Sequence, residues 1–105
     1  MANKAIYKTI RSTVDSIVPD TRILLFGSQA TGKANEHSDY DIVVITKRKL
    51  PKEKRDDVWM KLHNQLVTTI HSGVDLLIKS EVEAREGQKL PGHIMRAAFR
   101  EGIFL

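Results

Sequence analysis

The sequence predicts an α/β (α+β) domain: a small mixed β-sheet with helices packed on it. Three observations carry this. An apolar run, Arg22 to Phe26, ends at Gly27-Ser28. Two further apolar runs, Ile42 to Ile45 and Val74 to Ile78, each have aspartates at their start. Between those two lies a long stretch with helical periodicity. A strand–helix–strand unit of this length is normally a right-handed parallel crossover. The second and third strands should therefore be parallel, with Asp41 and Asp75 at their N-terminal ends. The first strand brings its C-terminal end to the same edge, so it should run antiparallel to them.

The elements follow in order. Ala2 to Val18 reads as a packing helix, with Ile6, Ile10, Val14 and Ile17 as one apolar stripe. Pro19-Asp20 ends it. Arg22 to Phe26 is continuous in apolar residues and should be a central strand. Gln29 to Ser38 is long enough for a short helical turn and an exposed hook. Strand two spans Asp39 to Thr46. The charged stretch Lys47 to Arg55 lies at the far end of that strand from the acids, so it reads as a solvated loop and helix start. The longest helix runs from Pro51 to His71 and buries Val58, Leu62, Leu66 and Ile70, with Trp59 and Val67 flanking. Gly73 stops it before strand three, Val74 to Ile78. Ser80 and Glu83 form a capping-box pattern opening a short helix. Pro91 to Arg100 is a last helix with Ile94, Ala97 and Ala98 inward. Ile103 to Leu105 adds a short strand or packs on the core. No repeat or linker divides residues 1–105, so one domain is expected.

Composition narrows the function classes. The chain has 105 residues, 41% hydrophobic and 29% charged, which suits one globular domain with a modest core. It has no cysteine, so disulfides and thiolate metal sites are excluded. No apolar run approaches a membrane span and no signal-peptide core is present, which places the expected protein in the cytoplasm, away from membranes. A net charge of +4 and a pI near 9.5 favour anionic partners without indicating nucleic acid.

The residues that carry chemistry surround the first two strands. Residues i and i+2 of a strand face the same way, so Asp39 and Asp41 should project together. Adjacent carboxylates repel unless a cation neutralises them, and oxygen-only ligands suit Mg²⁺. Asp75 can converge on the same point. Gly27 permits close backbone approach to a ligand, and a helix starting at Ser28 would offer free N–H groups to phosphate. Gln29 and Lys33 complete the phosphate-side candidates, with Lys33 either reaching phosphate or solvated. His37, His63, His71 and His93 lack metal-ligand spacing and read as surface residues.

Gly27-Ser28, Asp39-x-Asp41 and the distant Asp75 together resemble the nucleotidyltransferases of the DNA polymerase β superfamily. The short chain resembles its minimal, single-domain members. Ile94, Ala98 and Glu101-Gly102-Ile103 resemble the tail of that group. The resemblance covers about Ile23 to Leu105 and implies a nucleotidyltransferase (polymerase β palm-like) fold. It also implies two-metal catalysis by Asp39, Asp41 and Asp75 with Mg²⁺ (Mn²⁺ as the alternative). The substrate would be ATP or another nucleoside triphosphate, and a nucleoside monophosphate, most plausibly AMP, would pass to a hydroxyl acceptor. Related loops often carry arginine where this chain has Gln29 or Thr31, and neither is basic. Minimal nucleotidyltransferases also resemble antitoxins that pair with a helical HEPN-type toxin. An enzyme and a partner-binding module are thus both open, and so is a homo-oligomer.

Overall fold

The computed structural model describes residues 4–105. Helix α1 (Lys4–Ile17) leads into strand β1 (Arg22–Phe26), the one-turn helix α2 (Ser28–Thr31) and strand β2 (Tyr40–Thr46). Helix α3 (Lys52–Ile70) crosses to strand β3 (Val74–Ser80). Helices α4 (Glu81–Gln88) and α5 (Ile94–Glu101) and the two-residue strand β4 (Ile103–Phe104) close the chain. The helix start expected at Ala2 lies outside the described residues. No helix among the described residues is long and apolar enough to cross a membrane.

The four strands lie in the order β3-β2-β1-β4. β1 pairs antiparallel with β2 and with β4, and β2 pairs parallel with β3. The expected mixed sheet is therefore present, with β1 and β2 central. Their continuous apolar sequence reflects burial on both faces. Alternate residues feed two cores. Ile23, Leu25, Ile42 and Val44 join Val74, Leu76 and Ile78 against Ile10 and Val14 of α1 and Val58, Leu62 and Leu66 of α3. Leu24, Phe26, Val43 and Ile45 pack on the other face against Ala84, Met95 and Ala98 from α4 and α5. Leu62 and Leu66 are wholly buried. Truncating either to alanine should cost about 2–5 kcal/mol.

Local chemistry sets the element ends. His71, in the left-handed region at φ 54°, ends α3. Ser80 caps α4: its hydroxyl accepts from the Glu83 N–H at 3.1 Å, and the Glu83 carboxylate accepts from the Ser80 N–H at 3.0 Å. The capping box thus forms as the sequence predicts.

Three expectations need correction. Strand β2 begins at Tyr40, one residue after Asp39. Ile94 does not point inward: as the first residue of α5 it is 45% exposed, and Met95 and Ala98 fill the core instead. His63 and His93 are not free surface groups. The His93 Nδ1 accepts from the Met95 N–H at 3.0 Å and caps α5. His63 is bonded to the sheet, as described below.

Candidate active site

Strand register brings two of the three acids together. Asp41 lies opposite Asp75 in the parallel pair β2–β3 and opposite Phe26 in the antiparallel pair β1–β2. All three side chains belong to the sheet face covered by α4 and α5. The carboxyl group of Asp41 lies within hydrogen-bonding reach of Asp75.

Burial pushes the Asp41 carboxyl up, and the hydrogen bond with Asp75 and the charges of Asp75, Asp39 and Glu101 push it further, to about 6 from the usual 3.8. Glu101, the last residue of α5, is a fourth acid at this site. Sequence pattern did not assign it a role. At the end of a helix it looks like an ordinary solvated residue, and only the return of β4 beside β1 carries it toward Asp41.

Asp39 stands one residue outside the strand and is exposed. Its carboxylate lies over Gly73, where a Cβ would collide with it. The Tyr40 N–H donates to the Gly73 carbonyl at 3.0 Å, which holds the start of β2 beside the start of β3. Among the described residues, no three acids or histidines are gathered closely enough to hold a metal ion as they stand. The donor set nevertheless fits a hard cation: it is made of carboxylate oxygens, and exposed Asp39 is near enough to Asp41 for its charge to add to the rise caused by burial.

Gly27 explains how Asp41 fits. Its backbone sits at φ 70°, ψ −156°, a region essentially restricted to glycine. A Cβ there would strike the Asp41 carboxylate. Gly27 therefore makes room for the acid, a role beyond the ligand approach expected from sequence. Its carbonyl accepts from the Ala30 and Thr31 N–H groups at 3.0 and 3.1 Å and starts α2. The N–H groups of Ser28 and Gln29 precede the first intrahelical bonds and remain available to an anion.

The hook after α2 is tied by its own side chains. The Gln29 amide donates to the Ser38 carbonyl at 3.2 Å, and the Asn35 side chain accepts from the His37 N–H at 2.8 Å. The Thr31 hydroxyl donates to the Gly27 carbonyl at 3.2 Å. Gln29 and Thr31 are thus occupied within the loop. Lys33 is exposed just beyond the left-handed Gly32 that ends α2.

Two clefts flank this region. A polar one of about 440 Å³ lies between the hook and the end of α3, lined by Ser28, Gln29 and Tyr40 among others, and holds none of the three acids. The other, about 450 Å³, contains Asp41 and Asp75 and has apolar walls from Phe26, Leu77, Trp59 and Ile94. Of the two, the second is the candidate site, because it contains Asp41 and Asp75. Exposure of Ile94 belongs to this wall.

Known structures agree with the fold. One chain in a crystal structure of a toxin–antitoxin with AMP-PNP superposes with a TM-score of 0.68 at 23% identity, covering 92% of this chain and 69% of that one. A chain in the structure of tri-AMPylated Shewanella oneidensis HEPN toxin in complex with MNT antitoxin gives 0.62 at 20% identity, covering 96% and 69%. At these identities the likeness establishes the nucleotidyltransferase fold. No curated protein matches the sequence. A family model described as a nucleotidyltransferase domain matches residues 7–100, nearly the whole chain. The chain belongs to the nucleotidyltransferase domain family.

Proposed function

We propose that this protein transfers a nucleoside monophosphate, AMP from ATP, to a hydroxyl acceptor. The observation that carries the reading is the Asp41–Asp75 carboxyl pair, held in register beside the Gly27-Ser28 turn. Asp39 and Asp41 would hold one divalent cation and Asp75 would share a second, Mg²⁺ or Mn²⁺. Bound there, the metal supplies charge neutralisation for the triphosphate and the departing pyrophosphate.

The chain's own groups do the rest. Ser28, with its N–H and that of Gln29, holds phosphate oxygens at the turn, and Lys33 reaches them from the hook. Asp75 takes the proton of the acceptor hydroxyl. The hydroxyl oxygen bonds to the α-phosphorus as the bond from that phosphorus to the bridging oxygen breaks. The products are a nucleotidylated acceptor and pyrophosphate.

A second reading, a binding module that pairs with a HEPN-like helical toxin, is favoured by one specific observation. Gln29 and Thr31 spend their side chains inside the loop and give no cation for the triphosphate. The solved toxin–antitoxin complexes of similar fold support a protein partner for this chain. The two readings coincide if the partner is itself the acceptor. Labelled ATP, Mg²⁺ and the protein encoded next door test both. Label on the partner supports transfer. Tight binding of the partner without label in any acceptor leaves the module alone.

A further inference from the structure

Asp75 lies on an edge strand, the least constrained place in a sheet. The Gly73 carbonyl turns inward to the Tyr40 N–H of β2. By alternation, the carbonyls of Val74 and Leu76 turn outward, to the side without a strand partner. Both are taken by α3. The Trp59 indole N–H donates to the Leu76 carbonyl at 2.8 Å, and His63 Nε2 lies 3.1 Å from the Val74 carbonyl. A carbonyl only accepts, so that nitrogen carries the hydrogen. The two rings are one helical turn apart and stack, with centroids 4.7 Å apart and planes 8° from parallel. They grip the strand one residue before and one residue after Asp75.

We propose that Trp59 and His63 are positioning residues for Asp75. Side chains projecting from helix α3 replace the missing neighbour strand at just the two carbonyls that bracket the acid. The stack fixes the spacing of the two donors, and so the twist of β3 at Asp75 and the direction of its carboxylate toward Asp41. Burial alone does not account for the pair, because Trp59 is 39% exposed. The same rings wall the cleft that holds the acids, so their placement and that of Asp75 are linked. The inference rests on the metal reading above, and its test separates the two.

The variants isolate the hydrogen bonds from the packing. Trp59→Phe and His63→Phe keep a stacked ring and remove the donor. His63→Gln removes the ring and keeps a donor nitrogen at similar reach. The first readout is Mn²⁺ alone, titrated by its electron spin resonance signal. Loss of such a supporting contact costs about 10–100-fold in metal affinity, expected for Trp59→Phe/His63→Phe and recovered only in part in Trp59→Phe/His63→Gln, which regains one of the two donors. The second readout needs no metal: the ¹³C carboxyl signal of Asp75 in the isolated protein. It should move in His63→Phe and return toward the wild-type position in His63→Gln. If the wild type binds no Mn²⁺, the metal reading falls and the carboxyl signal alone decides this proposal. An Asp75 signal unmoved by either donor deletion, or moved equally by His63→Phe and His63→Gln, overturns it and leaves the pair as packing.

Discussion

The carboxylate of Asp41 occupies the space where any residue but glycine at position 27 would carry its Cβ. Turn and acid are therefore one unit: the strained backbone of Gly27 exists where the strand β2 needs clearance.

Gly27→Ala should destabilise the fold by roughly 1–3 kcal/mol from the backbone conformation, with a further loss from displacing Asp41. Urea denaturation measures it. In an Asp41→Gly background the displacement part disappears, so the two substitutions should be non-additive. Additive losses would show that the two residues do not meet.

Metal-free stability should depend on pH through Asp41. Its carboxyl is raised from 3.8 to about 6, so the folded state holds the proton more tightly than the unfolded chain. This contribution is fully present below about pH 3.8 and is lost as pH rises through about 6. Asp41→Asn should flatten the melting-temperature profile between those limits and leave a more stable protein at pH 7. Mg²⁺ should recover part of the wild-type deficit at pH 7. A profile unchanged by Asp41→Asn contradicts this.

The helix α4 cap gives the opposite slope. The Ser80 backbone and hydroxyl hold the Glu83 carboxyl below its usual value. Its contribution is present above the unfolded carboxylate range and lost as pH falls through the lowered value. Ser80→Ala should cost about 0.5–2 kcal/mol, read from chemical denaturation, and should leave the slope in place, because the titrating bond runs to the backbone N–H that alanine keeps, whereas Glu83→Gln should remove the slope.

Asp75→Asn should separate binding from chemistry. Nucleotide affinity, measured by calorimetry with Mg²⁺ and a non-hydrolysable ATP analogue, should stay within a few-fold. Transfer of labelled AMP should fall far more, because the loss is in the transition state. Equal transfer by the variant would reduce Asp75 to a turn residue.

Most of the sheet was legible because periodicity and crossover rules act locally. The continuous run Ile42 to Ile45 reports a strand buried on both faces, and the stripe Val58, Leu62, Leu66 reports one face of a helix. The crossover then dictates that Asp41 and Asp75 share an edge. What escaped depends on side chains arriving from distant elements. His63 reads as a solvated histidine until α3 is laid along the free edge of β3. Glu101 reads as a helix end until β4 is paired. Gly27 reads as a point of close backbone approach to a ligand, but its collision with Asp41 requires the β1–β2 register, which a sequence with thirteen residues between the strands leaves unstated.

The pairing of β4 has a consequence for the order of assembly. Leu25 meets Ile103 with 77 of the 105 residues between them, whereas β1–β2 and β2–β3 close over much shorter stretches. Closure entropy grows with the loop, so the short closures should come first and β4 last. Glu101 reaches the acids only at that final step. An earlier species, with β1 to β3 formed, would hold Asp41 and Asp75 under less crowding, and a divalent ion present during folding could bind before the last carboxylate comes in.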